Sequence, residues 1–432
     1  MSATATQPKQ LDQSFWATVR RQFRKKKVAV ISFYIASFLA LVAVLAPFLA
    51  NEKPIMCQYE GKIYFPVFKQ IGVDFGIAQF PQELLNVKWK DLEYDFALWP
   101  LVPYLPLNQD SKNAQSVGPF DEQDVPSTKW THWFGTDELG RDVLSGMIHG
   151  TQTAFTVGIV SMFIASILGI FFGAMAGFFG DENLKMSRAR MWLNIIFFFV
   201  AIFYAYGVRS YVISDALSTS FASFLFELLL SILIFVSIMA AANLLAMLLK
   251  KIPFLGTHVA FPVDLTISRS MEILVCIPTF FLILLVLATI KKPNIYVIMV
   301  IIGLTSWTGI ARYIRAELLK IRSLEYIEAA NSLGFSNFRT LVKHAIPNAL
   351  SPVLIAIAFG IASAILIESS LSFLGFGSGD SVTWGALLSS ARQSPQAWWM
   401  AIFPGFAIFI TVTVFNLIGE GLTDAMDPRL RK

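Results

Sequence analysis

The chain has 432 residues, of which 55% are hydrophobic and only 15% charged, with 39 Phe and a mean hydropathy of +0.61. A soluble globular chain carries about 25% charged residues, so this composition excludes the ordinary water-soluble classes and points to a polytopic helical membrane protein. The alternating ten-residue segments of a membrane barrel are absent, and a formal net charge of +5 is better read as topology signals than as a nucleic-acid footprint.

Residues 1–27 form a polar, then basic, cytoplasmic tail ending in RRQFRKKK. The apolar run at 28–50 is too long for a signal peptide and lacks a small-residue cleavage site, so it is expected to be an uncleaved anchor helix. The basic tail places its start in the cytoplasm. Residues 51–150 hold 14 Asp/Glu against 8 Lys/Arg and are rich in Pro, Trp and Tyr; this segment is expected to be extracytoplasmic and large enough for a small lobe. Further apolar runs follow at 152–178, 191–208, 221–249, 273–290, 294–311, 349–371 and 398–418. Runs of roughly 20 residues suffice to span a bilayer, so the fold class is an all-α polytopic membrane protein of about eight spans.

Parity supports this topology. Lys185, Arg188, Arg190, Lys250, Lys251, Arg312 and Arg315 all fall inside, as do Arg429, Arg431 and Lys432 in the tail at 426–432; Lys291 and Lys292 fall outside. Cys57 and Cys276 belong at different depths, so no disulfide is expected. Four scattered His make no metal site, and no cofactor is expected.

The most informative segment is EYIEAANSLGFSNFRTLVKHAIPNAL, residues 325–350, within a cytoplasmic loop at 312–348. Tyr326, Ala329, Ala330 and Leu333 fall at i, i+3, i+4 and i+7, one apolar helical face. Gly334 supplies the left-handed position that ends a helix, Ser336 can cap the next, and Phe338, Leu341, Val342 and Ala345 repeat the spacing before Pro347. The loop therefore reads as helix, turn, helix. By itself this describes either two interfacial helices on lipid or a docking element, in which small residues at 329 and 330 admit a partner's backbone and Glu328 meets a basic group.

Glu328-Ala329-Ala330, then Gly334, then His344-Ala345-Ile346-Pro347 resembles the EAA motif of binding-protein-dependent ABC importers, with Ile346-Pro347 a departure from the usual Leu-Pro ending. HWFGTDELGRDVLSGMIHG, at 132–150, resembles the signature ahead of the second span in oligopeptide, dipeptide and nickel permease subunits. Ser370–Gly375, Trp384-Gly385-Ala386 and the stretch from Phe403 to Arg431 resemble the end of the same subunit type, in particular the second of two paired permeases. The resemblance covers roughly 20–50, 130–181 and 264–432. It implies a type I importer transmembrane domain at 151–425 that performs no covalent chemistry. It also implies a second permease, ABC ATPase subunits and an extracytoplasmic solute-binding protein as partners, besides the bilayer, and no nucleic acid. It assigns Glu328, Ala329, Ala330, Leu333, Gly334, His344 and Pro347 to ATPase coupling. The cargo of similar subunits is most often peptide, but nickel chelates, glutathione and some saccharides also occur.

The sequence departs from that family at 182–263, where two extra apolar runs intervene. Two added spans leave the downstream topology unchanged. Glu227 in the second of them is costly at membrane depth and is either paired structurally or used in transport. Glu368 either lines the pathway or snorkels to the interface, and Asn416 is a second pathway candidate. The glycine-rich Gly375–Asp380 lacks the Gly-Lys-Ser/Thr of a phosphate loop and reads as a turn. The acidic run of Asp121, Glu122 and Asp124 reads as a solvated loop. A self-contained secondary transporter would want ionisable residues at mid-membrane, for which Glu227 alone is thin support. A membrane-embedded enzyme would need a convergent nucleophile, metal or acid/base set that the sequence does not display.

Overall fold

The structure, a computed structural model, describes residues 15–74, 77–81, 84, 87–219, 221–290, 294–379 and 381–427. Lys291, Lys292, Asp380, Arg429, Arg431 and Lys432, used in the sequence reading, lie outside the described residues. The chain forms two compact units, Met1–Gly173 with Ile273–Lys432, and Ala174–Glu272.

In chain order, α1 (Phe15–Lys25) and the anchor helix α2 (Lys27–Leu49) are followed by strands β1 (Met56–Tyr59) and β2 (Lys62–Tyr64), helix α3 (Pro66–Asp74) and β3 (Phe96–Leu98). Next come α4 (Val143–Ala174), β4 (Lys185–Ser187), α5 (Arg188–Ile202), α6 (Ser210–Thr219), α7 (Phe221–Leu249), the turn α8 (Pro253–Gly256) and β5 (His258–Ala260). The remainder is helical: α9 (Val263–Cys276), α10 (Thr279–Thr289), α11 (Ile295–Ile321), α12 (Glu325–Ser332), α13 (Asn337–Thr340), α14 (Ile346–Ala349), α15 (Ser351–Phe373), α16 (Trp384–Ser390) and α17 (Trp399–Met426).

Among the described residues seven helices are long and apolar enough to cross a membrane, and an eighth span results if the bent pair α9 and α10 counts as one. The apolar run at 273–290 is thus not one straight helix. Pro278 has no N–H to give to the ladder, and the helix stops at Cys276 and restarts at Thr279. Two other boundaries shift. α4 begins at Val143 rather than 152, because the Asp142 carboxylate accepts the Ser145 N–H at 2.5 Å and caps the first turn. α11 continues past 311 to Ile321, because Ile314, Leu318 and Ile321 keep helical spacing and stay buried. The basic tail is not merely polar: its described part is the amphipathic α1, whose Val19 packs with Ala425 and Met426 at the end of α17.

In the larger unit, close helix approach rests on small residues, as expected where lipid removes the hydrophobic drive between helices and leaves packing to hold them. α2 turns Ala29, Ser32, Ala36, Ala43 and Ala46 inward and Phe33, Tyr34, Phe38 and Val44 outward. A Cβ on Gly421 of α17 would stand 2.3 Å from the Ala29 methyl. Gly173 of α4 lies so close to α11 that a Cβ there would meet the Ala311 carbonyl oxygen at 2.6 Å. Further along these helices Val157, Ile283, Ile298, Ile302 and Leu371 form a core drawn from α4, α10, α11 and α15. The segment between α2 and α4 folds into a small lobe with an antiparallel sheet of order β2-β1-β3, whose Cys57 packs with Leu84 and Trp89. Cys57 is buried, Cys276 exposed, and both are free.

The smaller unit is an antiparallel pair, α5 and α7, with the short β4–β5 ladder joining Lys185 to Ala260 and Ser187 to His258. Phe198 meets Phe235 edge-on at 5.9 Å. Glu227 of α7 is ion-paired with Arg209, which also donates from Nε to the Ser231 hydroxyl at 3.0 Å. The carboxylate that looked costly therefore has a cation beside it.

Candidate functional site

The loop between α11 and α15 is built as a small rigid body on the end of α11. α12 runs from Glu325 to Ser332, and the Phe335 N–H returns to the Ala330 carbonyl at 3.1 Å. Gly334 makes that return possible, with φ +81, a conformation that costs a glycine nothing and other residues strain. Ser336 then caps α13, its hydroxyl accepting the Arg339 N–H at 3.3 Å. A wider turn at Leu341–Ala345 follows, and Pro347 sits in the first turn of α14, where a missing N–H is harmless. The His344 ring stacks on Phe335 with centroids 6.1 Å apart, and the Arg339 guanidinium lies 4.7 Å from the same ring. Asn348 donates to the His344 carbonyl at 2.7 Å.

Two faces result. Ile327 (1% exposed), Ala330, Thr340, Leu341 and Ala345 turn into the chain. Tyr326, Ala329, Leu333 (75%), Phe338 (71%) and Val342 turn out, with Glu328 and Gly334 also exposed. The sequence reading put Ala330 on the outward face; it belongs to the inward one, with Ile327, which that reading passed over. One signal was available: Ile327 and Ala330 are themselves three apart, and they continue the buried side of α11 through Leu318 and Ile321. Glu328 has no ion pair among the described residues. The loop therefore offers apolar knobs and one carboxylate on a pinned frame, an arrangement suited to binding.

The two pathway candidates separate. Glu368 is 1% exposed, so it neither opens to solvent nor snorkels. The Ser372 hydroxyl donates to it at 2.6 Å, the Ser369 hydroxyl at 3.4 Å, and Thr383 also bonds to it. Thr383 caps α16, and a Cβ on Gly385 would stand 2.1 Å from the Ser369 carbonyl oxygen. Glu368 thus ties the end of α15 to the start of α16. Asn416, in contrast, is exposed along α17.

The signature ahead of α4 is a structural knot. Asp137 accepts the Leu139 and Arg141 N–H groups at 3.0 and 2.8 Å and pairs with the Arg141 guanidinium at 2.6 Å. Asp142 reaches the buried His132 ring at 2.8 Å, and Asp110 reaches its other nitrogen at 3.3 Å. Gly135 and Gly140 have φ +73 and +77, and at Gly140 a Cβ would lie 2.1 Å from the Asp110 carbonyl oxygen. Trp399 at the start of α17 donates to the Thr136 carbonyl at 3.2 Å. Beside this knot the Lys90 ammonium sits 3.5 Å from the Tyr104 ring. Burial, offset by Asp110, Glu52, Asp142 and Asp91, pushes Lys90 down to about 8. At the other end Lys26 bridges Glu420 and Asp424 at 2.9 and 2.5 Å, and its hydrogen bonds, to Asp424 first, hold its pKa above the ordinary lysine value.

Comparison with known proteins bears on this arrangement. The model of the binding-protein-dependent transport system inner membrane component matches residues 242–432. The model of the N-terminal TM domain of oligopeptide transport permease C matches residues 14–64. The inner membrane ABC transporter permease protein YejE of Escherichia coli is 26% identical over 97% of both chains, so the alignment runs across the segment at 182–263. The dipeptide transport system permease protein DppC of Bacillus subtilis is 26% identical over 72% of each chain. The oligopeptide transport system permease protein OppC of Haemophilus influenzae is 29% identical over 71% of this chain and 73% of its own.

Proposed function

This chain is a membrane-spanning permease subunit of a binding-protein-dependent ABC importer, an inner-membrane component, and from that premise we propose that it carries peptides and is driven through the loop at 312–348. The names of the relatives, which speak of dipeptide and oligopeptide transport, support the cargo. The observation that carries the coupling role is the loop's split character. Its inward face is packed into the chain, while Leu333, Phe338, Tyr326 and Val342 are held outward with nothing among the described residues to cover them. A pinned apolar face of this kind fits helix-in-groove recognition, and the groove belongs to an ATPase subunit.

In this reading ATP closes an ATPase dimer, and the loops carry that movement to the spans of this chain and of a second, different permease. A solute-binding protein delivers peptide to the outer lobe at 51–142. Both termini are cytoplasmic, since the basic clusters at 20–27, 185–190, 250–251 and 312–315 share one side under the positive-inside rule. Coupling of binding protein to ATPase is reciprocal: a docked binding protein favours ATPase closure as much as closure favours its release.

The test pairs two readouts. Mass spectrometry of proteins co-purifying with the tagged chain should recover a second permease and one or two ATPases, lost when Leu333 and Phe338 are both replaced by Asp. Cells lacking the chain should fail to grow on di- or tripeptides as the source of a required amino acid. Recovery of the chain alone overturns the coupling role, and undiminished growth overturns the peptide assignment.

A further inference from the structure

The unit Ala174–Glu272 has no part in the coupling described above, yet one end of it is chemically distinctive. The β4–β5 ladder brings His258 beside Ser187. α5 starts from Ser187, whose hydroxyl accepts the Arg190 N–H at 3.3 Å, and α7 ends at Leu249 just before Lys250 and Lys251. These segments enclose a cavity of about 510 Å³ lined by Lys185, Arg190, Lys250, Lys251 and His258, with Ser187 and Asn243 between them. Among the described residues no Asp or Glu lines it. Arg190 donates from Nε to the Asn243 amide oxygen at 2.5 Å, which fixes the guanidinium at the cavity wall.

Topology alone does not explain this. The positive-inside rule asks only for Lys and Arg near the ends of spans; it does not ask that Lys and Arg from a strand, a helix start and a helix end converge on one space, with the His258 ring of a second strand beside them. Like charges gathered this way repel each other, and an anion between them removes the repulsion. The position says which anion. The cavity lies at the level where the apolar runs of α5 and α7 stop. Just inside it, both helices expose large apolar side chains: Trp192, Ile195 and Ile196 on α5, and Leu244, Met247 and Leu248 on α7. A ligand with an oxyanion head and hydrocarbon tails matches both parts. Basic pockets between helices at the membrane boundary are a recurrent way of holding anionic lipid headgroups.

We propose that this cavity binds the phosphoryl group of an anionic phospholipid, with the acyl chains lying on the exposed flanks of α5 and α7. Free phosphate shares the chemistry, and the experiment separates the two. The full chain, purified in mild detergent, is titrated with phosphatidylglycerol and, separately, with phosphatidylcholine of the same acyl length, and binding is read by native mass spectrometry. Inorganic phosphate is titrated by calorimetry. The unaltered chain should prefer phosphatidylglycerol. Lys250→Gln/Lys251→Gln should weaken that binding about thirtyfold, at about 1 kcal/mol per basic residue near a lipid surface. Lys185→Gln leaves Arg188, Arg190, Lys250 and Lys251 beside the span ends in place, and should weaken it about fivefold on the same basis. Lys250→Arg/Lys251→Arg should keep it. Should the double Gln variant fail to insert, the Lys185→Gln value decides. Tight phosphate binding that the same substitutions abolish, without any lipid preference, would keep the oxyanion site and overturn the lipid. No preference and no phosphate binding in the unaltered chain, or equal binding by the variants, overturns the proposal altogether.

Discussion

Replacing Gly334 with Val isolates the loop's geometry from its contacts. Gly334 has φ +81, and a Cβ built there meets nothing within 4 Å. The added Cβ therefore meets no clash among the described residues, and the cost considered is conformational. Holding an L-residue in the left-handed region costs roughly 1–2 kcal/mol, and a β-branched side chain is a genuine outlier there. At about 1.4 kcal/mol per tenfold, the population of loops with α12 and α13 in their present relation falls roughly 5- to 30-fold. Asn tolerates the left-handed region far better than Val, so Gly334→Asn should retain most function and Gly334→Ala should fall between. The assay is the amount of ATPase subunit retained by the tagged chain in mild detergent, alongside membrane insertion measured by fractionation. Insertion should be unchanged in all three, since the loop lies outside the spans. Full ATPase retention by Gly334→Val would refute the argument that the left-handed turn sets the docking surface. Equal losses in Asn and Val would refute the conformational origin of the effect.

Further predictions follow from burial and charge. Ile327→Ala removes a side chain that is 1% exposed and should cost about 2–5 kcal/mol of loop stability, read as faster proteolysis between α11 and α15. Leu333→Asp changes a side chain that is 75% exposed, so it should leave proteolysis alone and lower ATPase retention. Arg209→Met should destabilise the membrane-inserted chain by about 3–5 kcal/mol, because it strands the Glu227 carboxylate; Arg209→Met/Glu227→Leu should recover most of the lost thermal stability in detergent. At Lys90, lowered to about 8 by burial, the unfolded chain binds the extra proton between about pH 8 and the ordinary lysine value. The contribution of this group to stability therefore rises with pH across that window, and its full cost is present below pH 8. Acetylation at pH 8 should accordingly modify Lys90 faster in the folded than in the denatured chain, and an equal or slower rate in the folded chain would contradict the burial argument.

What the sequence reveals depends on whether a feature is local. Gly334 and Ser336 carry their turn and cap in their own chemistry, so helix, turn, helix is readable over 325–350. Run length likewise carries the spans at 28–50 and 221–249. The break at Ile277-Pro278 is invisible to hydropathy because both sides are equally apolar, although Pro278 signals it by its missing donor. Arg312 and Arg315 look like the end of a span, yet Ile314, Leu318 and Ile321 keep the buried stripe of α11 going; charge and periodicity conflict there, and packing decides for periodicity. The Lys26 bridge to Glu420 and Asp424 joins residues 394 and 398 positions apart, a relation that no window along the chain contains. Depth along the run says nothing of the partners of Glu368: Ser372 lies one turn on in the same helix, but Thr383 is brought to it only by the fold.

The motifs that carry the family resemblance accordingly divide into two physical kinds. Asp137, Asp142, Glu368, Glu420 and Asp424 all bond within the chain: to backbone N–H groups, to His132, to hydroxyls, to Lys26. Their acids close caps and bridge helices, so a signature that reads like chemistry is the means by which the outer knot and the helix ends are held. The EAA loop is arranged the other way. Its frame is shaped by Ser336, Gly334 and Ala330 and anchored by the buried Ile327 and Leu341, while Tyr326, Leu333, Phe338 and Val342 are directed outward. Satisfied acids inside and uncovered Leu and Phe outside are opposite uses of side chains. The second marks a surface that meets a partner or the membrane. That asymmetry separates Leu333 and Phe338, the exposed groups on which the proposed docking rests, from Glu368, whose bonds stay within its own fold.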